Sequence, residues 1–240
     1  MPVAQDRRGY RPRVLFFDVF ETMLSTDKVT KSVSAALGDR PDLARLWFAT
    51  MLQYSLVSTL GDRYRDFADI GIASLEMVAC SNGISLGRDD ARHAVSGMRS
   101  LEPHPDVASA LLRLQQAGFR LVTLTNSSAK TVEAQLAHAG LTSLFEASLA
   151  ANEVGYFKPH LHVYRWAARR VGVAPAECML VAAHGWDIAG ALWAGCRAAF
   201  VERTGQQLYP LADAPELVVK DFGALAKALI ALPSIDSYTE

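Results

Sequence analysis

The sequence predicts an α/β fold, a doubly wound parallel sheet interrupted by one helical insertion. Three observations lead there. Short apolar runs ending in polar residues recur at residues 13–18, 120–126, 178–183 and 197–202. Helix-like stretches ending near glycine lie between the later runs, and residues 27–98 show helical spacing with no strand pattern.

Residues 13–18 (Arg-Val-Leu-Phe-Phe-Asp) have the continuous apolar character of a strand covered on both faces of a parallel sheet. After it, Leu43, Leu46, Trp47, Met51, Tyr54 and Leu60, then Ile70, Leu75, Val78 and Ile84, are spaced as helices. The division is therefore a core of residues 1–26 and 99–240 with a cap at 27–98. Leaving directly after the first strand, the insertion springs from the carboxyl edge of the sheet, where open α/β folds bind ligands, and is placed to cover a site. Residues 106–117 set Val107, Leu111, Leu112 and Leu114 on a helix that Gly118 closes. The strand at 120–126 follows, then a helix from a Ser128 cap through His138, stopped by Gly140. Helices at 160–171 and 186–195 end at Gly172 and Gly195 and flank the strand at 178–183; the strand at 197–202 completes the series. This rhythm is that of right-handed βαβ units. The polar tail after Pro233 is expected to fray.

Composition narrows the function. Among 240 residues, 24 Lys and Arg face 25 Asp and Glu, a net charge of −1 that favours no nucleic acid partner. A hydrophobic content of 50% excludes disordered and fibrous classes. The three cysteines, Cys80, Cys178 and Cys196, form no CxxC pair, which argues against zinc and a disulfide framework and for a cytoplasmic location. Apolar runs fall short of the ~18–20 residues of a membrane span, and Arg7, Arg8, Arg11 and Arg13 precede only Val14-Leu15-Phe16-Phe17, so neither leader nor anchor is expected.

The sequence lacks GxxxxGK[ST], GxGxxG after a strand, HExxH and GxSxG. What remains are polar residues at strand ends: Asp18 and Thr22, Thr125 and Asn126, Lys158, then His184 and Asp187. Each has an ordinary structural explanation when taken alone. Asp18 could form a turn, Thr125-Asn126 could cap the next helix, Lys158 could be a loop lysine, His184 a hydrogen-bonded core histidine and Asp187 a helix N-cap. Together they bring a carboxylate, an ammonium and a second carboxylate to one sheet edge, the parts of a nucleophile, its charge partner and a water-activating base.

Asp18-Val19-Phe20-Glu21-Thr22, Leu124-Thr125-Asn126-Ser127, Phe157-Lys158-Pro159 and His184-Gly185-Trp186-Asp187, in this order, resemble the haloacid dehalogenase superfamily, and within it the type II L-2-haloacid dehalogenases. That family's pattern runs Asp-x-(Phe/Tyr)-Gly-Thr-Leu, Ser/Thr-Asn, Tyr/Phe-Lys-Pro with a Tyr six residues on, and Trp-Asp. Tyr164 fills the Tyr position, and Arg203-Thr204-Gly205 resembles the later Arg-Thr-Gly. The resemblance implies a Rossmann-like core with a helical cap and a cofactor-free, metal-free hydrolysis of short 2-haloacids. In it Asp18 attacks the halogen-bearing carbon, Lys158 keeps Asp18 ionised, Thr22, Thr125 and Asn126 fix substrate or nucleophile, and Asp187 takes a proton from water. It also implies a homodimer, a reading that apolar positions on the cap helices support.

Phe20 stands where the superfamily's phosphatases carry a second Asp that protonates the leaving alcohol; halide needs no such proton, so Phe20 points to dehalogenation. The sequence departs from the dehalogenase pattern at Phe48, at Glu21 and in the run 182–184. Phe48 falls where those enzymes carry a halide-receiving Arg, with Arg45 one turn away as a replacement cation. Glu21 replaces a Gly, and Ala182-Ala183-His184 replaces Ser-Ser-Asn, with His184 able to donate in place of the Asn. Phe20, Phe48, Tyr164 and Trp186 are expected to shape the substrate pocket, and a tighter site with a histidine suits a leaving group as small as fluoride. A phosphatase or phosphonatase of the same fold, and a lapsed member acting only in binding, are the alternatives.

Overall fold

The computed structural model describes residues 9–234. Arg7, Arg8 and most of the polar tail after Pro233 lie outside the described residues. The strands are β1 (Val14–Phe17), β2 (Arg120–Thr125), β3 (Ala147–Ala150), β4 (Cys178–Ala182), β5 (Arg197–Val201) and β6 (Leu217–Val219). They form one parallel sheet of 6 strands in the order β3-β2-β1-β4-β5-β6, the doubly wound arrangement expected from the sequence. The sequence reading did not contain β3 or β6. β1 is central, with Val14 beside Arg120 and Cys178 and Phe17 beside Thr123 and Val181.

Alternate residues of the strands feed two apolar layers. Leu15, Phe17, Met179 and Val181 face one layer, whose helices include α5 (Val107–Gln116) and α9 (Phe222–Ile230). Phe16, Leu180 and Ala182 face the other, with α7 (Leu161–Arg170) and α8 (Gly185–Trp193). The remaining helix of this part, α6 (Ala129–His138), follows β2.

Four helices lie between β1 and α5: α1 (Asp27–Ala36), α2 (Pro41–Leu60), α3 (Phe67–Ser81) and α4 (Arg88–Val95). Pro41 starts α2, where a missing N–H is harmless. Leu43, Trp47, Met51, Ser55 and Thr59 then recur at i, i+4 on its buried face. α3 begins at Asp66, whose side chain accepts from the Ala68 N–H at 2.8 Å. It approaches α2 at Gly71, where an added Cβ would stand 2.9 Å from Met51 Sδ and whose carbonyl accepts from Trp47 Nε1 at 2.8 Å. Two links tie this insertion to the strand ends. Its buried side chains continue the layer containing Phe17 and Val19, and Thr59 Oγ1 accepts from the Phe157 N–H at 3.0 Å, one residue before Lys158. No described helix is long and apolar enough to cross a membrane.

Candidate active site

Asp18 follows β1 directly, and its N–H still donates to Val181 O at 3.0 Å, so β4 fixes its main chain. The residue is 4% exposed. Thr22 donates to Asp18 Oδ2 at 2.6 Å while accepting from the Ala183 N–H at 3.0 Å, which commits its one proton to Asp18. Lys158 is wholly buried and spends all three ammonium protons: on Asp18 Oδ1 at 2.9 Å, Asp187 Oδ2 at 2.6 Å and Leu124 O at 2.8 Å. Asn126 holds the Lys158 main chain, with Oδ1 accepting its N–H at 2.8 Å and Nδ2 donating to its carbonyl at 3.3 Å.

Asp187 lies in the first turn of α8, whose N-cap is His184 (φ −97°, ψ 122°); the helix begins at Gly185, before Asp187 can serve as a cap. Both Asp187 oxygens are engaged, Oδ1 by the Tyr164 hydroxyl at 2.5 Å. Tyr164, expected to touch substrate, is fully buried and faces Asp187 instead. Gly190 makes room for this: a Cβ there would come within 2.4 Å of Pro159 Cβ and 2.7 Å of the Tyr164 hydroxyl.

His184 Nδ1 is 3.1 Å from Asp18 Oδ2 and Nε2 is 3.0 Å from Glu21 Oε2. Phe48 and Trp186 each stack on its ring, at centroid distances of 6.0 and 5.1 Å. Phe48, on α2, also stacks on Phe20 at 5.5 Å. These aromatics, with Leu52, Phe67, Thr125, Asn126 and Ser127, line a cavity of about 20 Å³ beside Asp18. Phe20 and Phe48 also wall a second cavity of about 630 Å³, where Arg45, Glu21 and Asp27 lie. Arg45 thus lines the outer cavity, not the inner one that Phe48 adjoins. Ser127 and the Glu21 contact to His184 were missed from the sequence. Ser127 follows the Thr125-Asn126 pair, and its Oγ is buried without a hydrogen-bond partner, a free donor at the inner wall.

The electrostatics separate the two aspartates. Burial would raise Asp18, but the Lys158 charge and hydrogen bonds from His184 and Thr22 outweigh it and hold the carboxyl well below the usual range. Burial together with the Asp18 charge keeps Asp187 above the ordinary value, although Lys158 and Tyr164 pull it down. Lys158 is raised, because its two carboxylates overcome desolvation. For His184, burial opposes the charge, yet bonds to Asp18 and Glu21 push it up to about 9. An ionised carboxylate beside a more basic one is the division needed for nucleophile and base. A divalent cation does not fit these residues: the Lys158 ammonium already occupies the place between Asp18 and Asp187, Phe20 offers no carboxylate, and no group of three His, Cys, Asp or Glu able to hold a metal occurs among the described residues.

Buried opposite charges around a carboxylate at the carboxyl edge of a doubly wound sheet, beside a small apolar-walled cavity, fit a hydrolase. Residues 12–195 match the family model of haloacid dehalogenase-like hydrolases, and the chain belongs to that family. It is 27% identical over 220 residues to (S)-2-haloacid dehalogenase 1 of Pseudomonas sp. (strain CBS-3), covering 87% of this chain and 97% of that one. It is 28% identical over 196 residues to the (S)-2-haloacid dehalogenase of Xanthobacter autotrophicus, covering 81% and 77%. The structure of L-2-haloacid dehalogenase from Xanthobacter autotrophicus with chloropropionic acid covalently bound superimposes with a TM-score of 0.85 at 25% identity, over 92% of this chain and 99% of that chain.

Proposed function

We propose that this chain hydrolyses the carbon–halogen bond of short 2-haloacids through an ester on Asp18, with fluoroacetate among its substrates. The observation that carries the reading is the ionised, nearly buried Asp18, gripped by Lys158 and Thr22 and facing a pocket with no leaving-group acid at Phe20. In the first step an Asp18 oxygen bonds to the halogen-bearing carbon, and halide departs with the bonding pair. In the second, water attacks Asp18 Cγ and Asp187 takes its proton. In this reading Thr125, Asn126 and the Ser127 hydroxyl receive the substrate carboxylate, supported by their lining of the inner cavity and by the unpartnered Ser127 Oγ. Trp186, Phe20 and Phe48 keep that wall dry, which strengthens each charge interaction inside.

A cavity of about 20 Å³ holds little more than a water, so substrate must displace the aromatic wall, and small acids with small halogens displace it least. The names of the relatives support the 2-haloacid class. Helices α1 to α4 serve as the cap in this reading. The three free thiols support a reducing compartment, and exposed Leu46, Val57 and Leu60 on α2 support a homodimer.

The test is halide release from chloroacetate, fluoroacetate and both 2-chloropropionate enantiomers with EDTA present. The Asp18→Asn variant should release none. A single turnover in ¹⁸O-water should leave the label in Asp18 and not in the product hydroxyl. Absence of release from every haloacid would overturn the proposal, as would label appearing first in the product.

A further inference from the structure

Glu21 adopts φ 65°, in the left-handed region that favours glycine, and does so beside the reactive aspartate. The conformation is held from both sides: its N–H donates to Leu24 O at 2.9 Å and its carbonyl lies 3.0 Å from His104 Nε2. Its product is a carboxylate on His184 Nε2, while Nδ1 of the same ring faces Asp18. A neutral imidazole has one N–H and would turn a lone pair toward one of these carboxylates; two acceptors on two ring nitrogens require both protons. Phe48 and Trp186 both stack on this ring, which packing holds in the orientation that aims its two nitrogens at the two carboxylates.

Asp18 Oδ1 meets only Lys158, whereas Oδ2 meets Thr22 and His184. Building on the Asp18-ester reading above, we infer that Glu21 is a positioning residue that holds His184 as an imidazolium, and that His184 Nδ1–H and Thr22 Oγ1–H stabilise the oxyanion formed on Asp18 Oδ2 when water attacks the ester made through Oδ1. Water adds to Cγ, one proton passes to Asp187, and the carbonyl pair moves onto Oδ2. Collapse breaks the Cγ–Oδ1 bond, the departing alkoxide takes the proton back from Asp187, and Asp18 releases the water's second proton to solvent. The cation that the pocket lacks at Phe48 is thus supplied from the sheet side, for the second step.

Several other groups face this pair. Lys158, Asp187 and Tyr164 stand behind Asp18, His104 touches the Glu21 main chain, and Arg45 and Asp27 share the outer cavity with Glu21. Only Asp18 and Glu21 bond the ring, so removing the Glu21 charge should act directly on it.

The experiment compares wild type with Glu21→Gln in two readouts. NMR titration of His184 without substrate should show both ring nitrogens protonated at pH 7.5 in wild type, with loss of the proton near pH 9. In Glu21→Gln the titration should move down by at least one pH unit, a tenfold weaker hold. Quenched reactions at pH 8, read by mass spectrometry of the Asp18 peptide, should show ester accumulating in the variant while first-turnover halide release persists. Coincident titrations, or no ester accumulation, would overturn the inference. If the variant does not fold, a singly protonated His184 in wild type at pH 7.5 overturns it and a doubly protonated one upholds it. A wild type that releases no halide removes the dehalogenase reading, and with it the oxyanion role, while the titration still decides the Glu21–His184 pair.

Discussion

Replacing Lys158 with Met should destabilise the protein in a manner that depends on pH. The substitution keeps length and apolar bulk but removes the side chain that, among the described residues, bonds both Asp18 and Asp187, which are 4% and 0% exposed. Because both bond one nitrogen, the two carboxylates lie within about 6 Å of each other, where like charges repel by ~3 kcal/mol at an effective dielectric of ~20. Breaking a buried ion pair costs about 3–5 kcal/mol, a large share of a typical total stability of ~5–15 kcal/mol. In wild type, Asp18 titrates below its unfolded value, so its contribution is present above that value and is lost as pH falls through the folded one. In Lys158→Met, Asp187 is left with burial and the Asp18 charge against the Tyr164 bond alone, so its carboxyl titrates further above its unfolded value, while Asp18 keeps only its His184 and Thr22 bonds against burial and rises from its wild-type position. Stability is then retained at low pH and lost as pH rises through the raised folded values. Urea denaturation followed by tryptophan fluorescence at pH 5 and pH 7 measures this. The deficit relative to wild type should be about 3–5 kcal/mol at pH 7 and clearly smaller at pH 5. An equal deficit at both pH values, or one below ~1 kcal/mol at pH 7, would refute the charge argument.

Tyr164→Phe removes the 2.5 Å bond to Asp187, and with it a contact to a charged group worth ~1.5–3 kcal/mol. Steady-state turnover should fall by about tenfold or more while first-turnover halide release, read by rapid quench, stays near wild type; a matching loss in both would place Tyr164 in the first step instead. Gly190→Ala puts a methyl within 2.4 Å of Pro159 Cβ. Chemical denaturation should show a loss of ~1–3 kcal/mol from overpacking, with activity reduced as the Lys158 loop is displaced, and wild-type values in both would contradict the close approach.

Four strands were legible because Val14-Leu15-Phe16-Phe17 and its counterparts at 120, 178 and 197 are runs buried on both faces. The missed strand Ala147–Ala150 has one large apolar residue, Leu149, among small ones and is half-exposed at its start, and Leu217–Val219 is a three-residue edge strand with Val218 in solvent. Neither is long enough for a period to show. The missed helix α9 carried a readable pattern, with an Asp221 cap before Phe222, Leu225, Ala226 and Leu229. Asp18, Lys158 and Asp187 could be grouped from sequence because strand ends converge at one sheet edge. The Glu21 contact to His184 could not, since it joins loops far apart in sequence and depends on a backbone conformation that Glu rarely takes. Tyr164 was assigned to the pocket by the resemblance, yet only three-dimensional placement shows it turned to Asp187.

Lys158, Thr22, Asp187 and Tyr164 are wholly enclosed behind Asp18, while Phe48, Leu52 and Phe67 reach the cavity from α2 and α3. One side of the lining is thus written in a stretch of the gene separate from the machinery. Substitutions along α2 and α3 can accumulate and resize the chamber without disturbing a charge behind the aspartate. A lineage with this layout can therefore explore new substrates by drift in two helices, while the residues near positions 18, 158 and 187 stay under constraint.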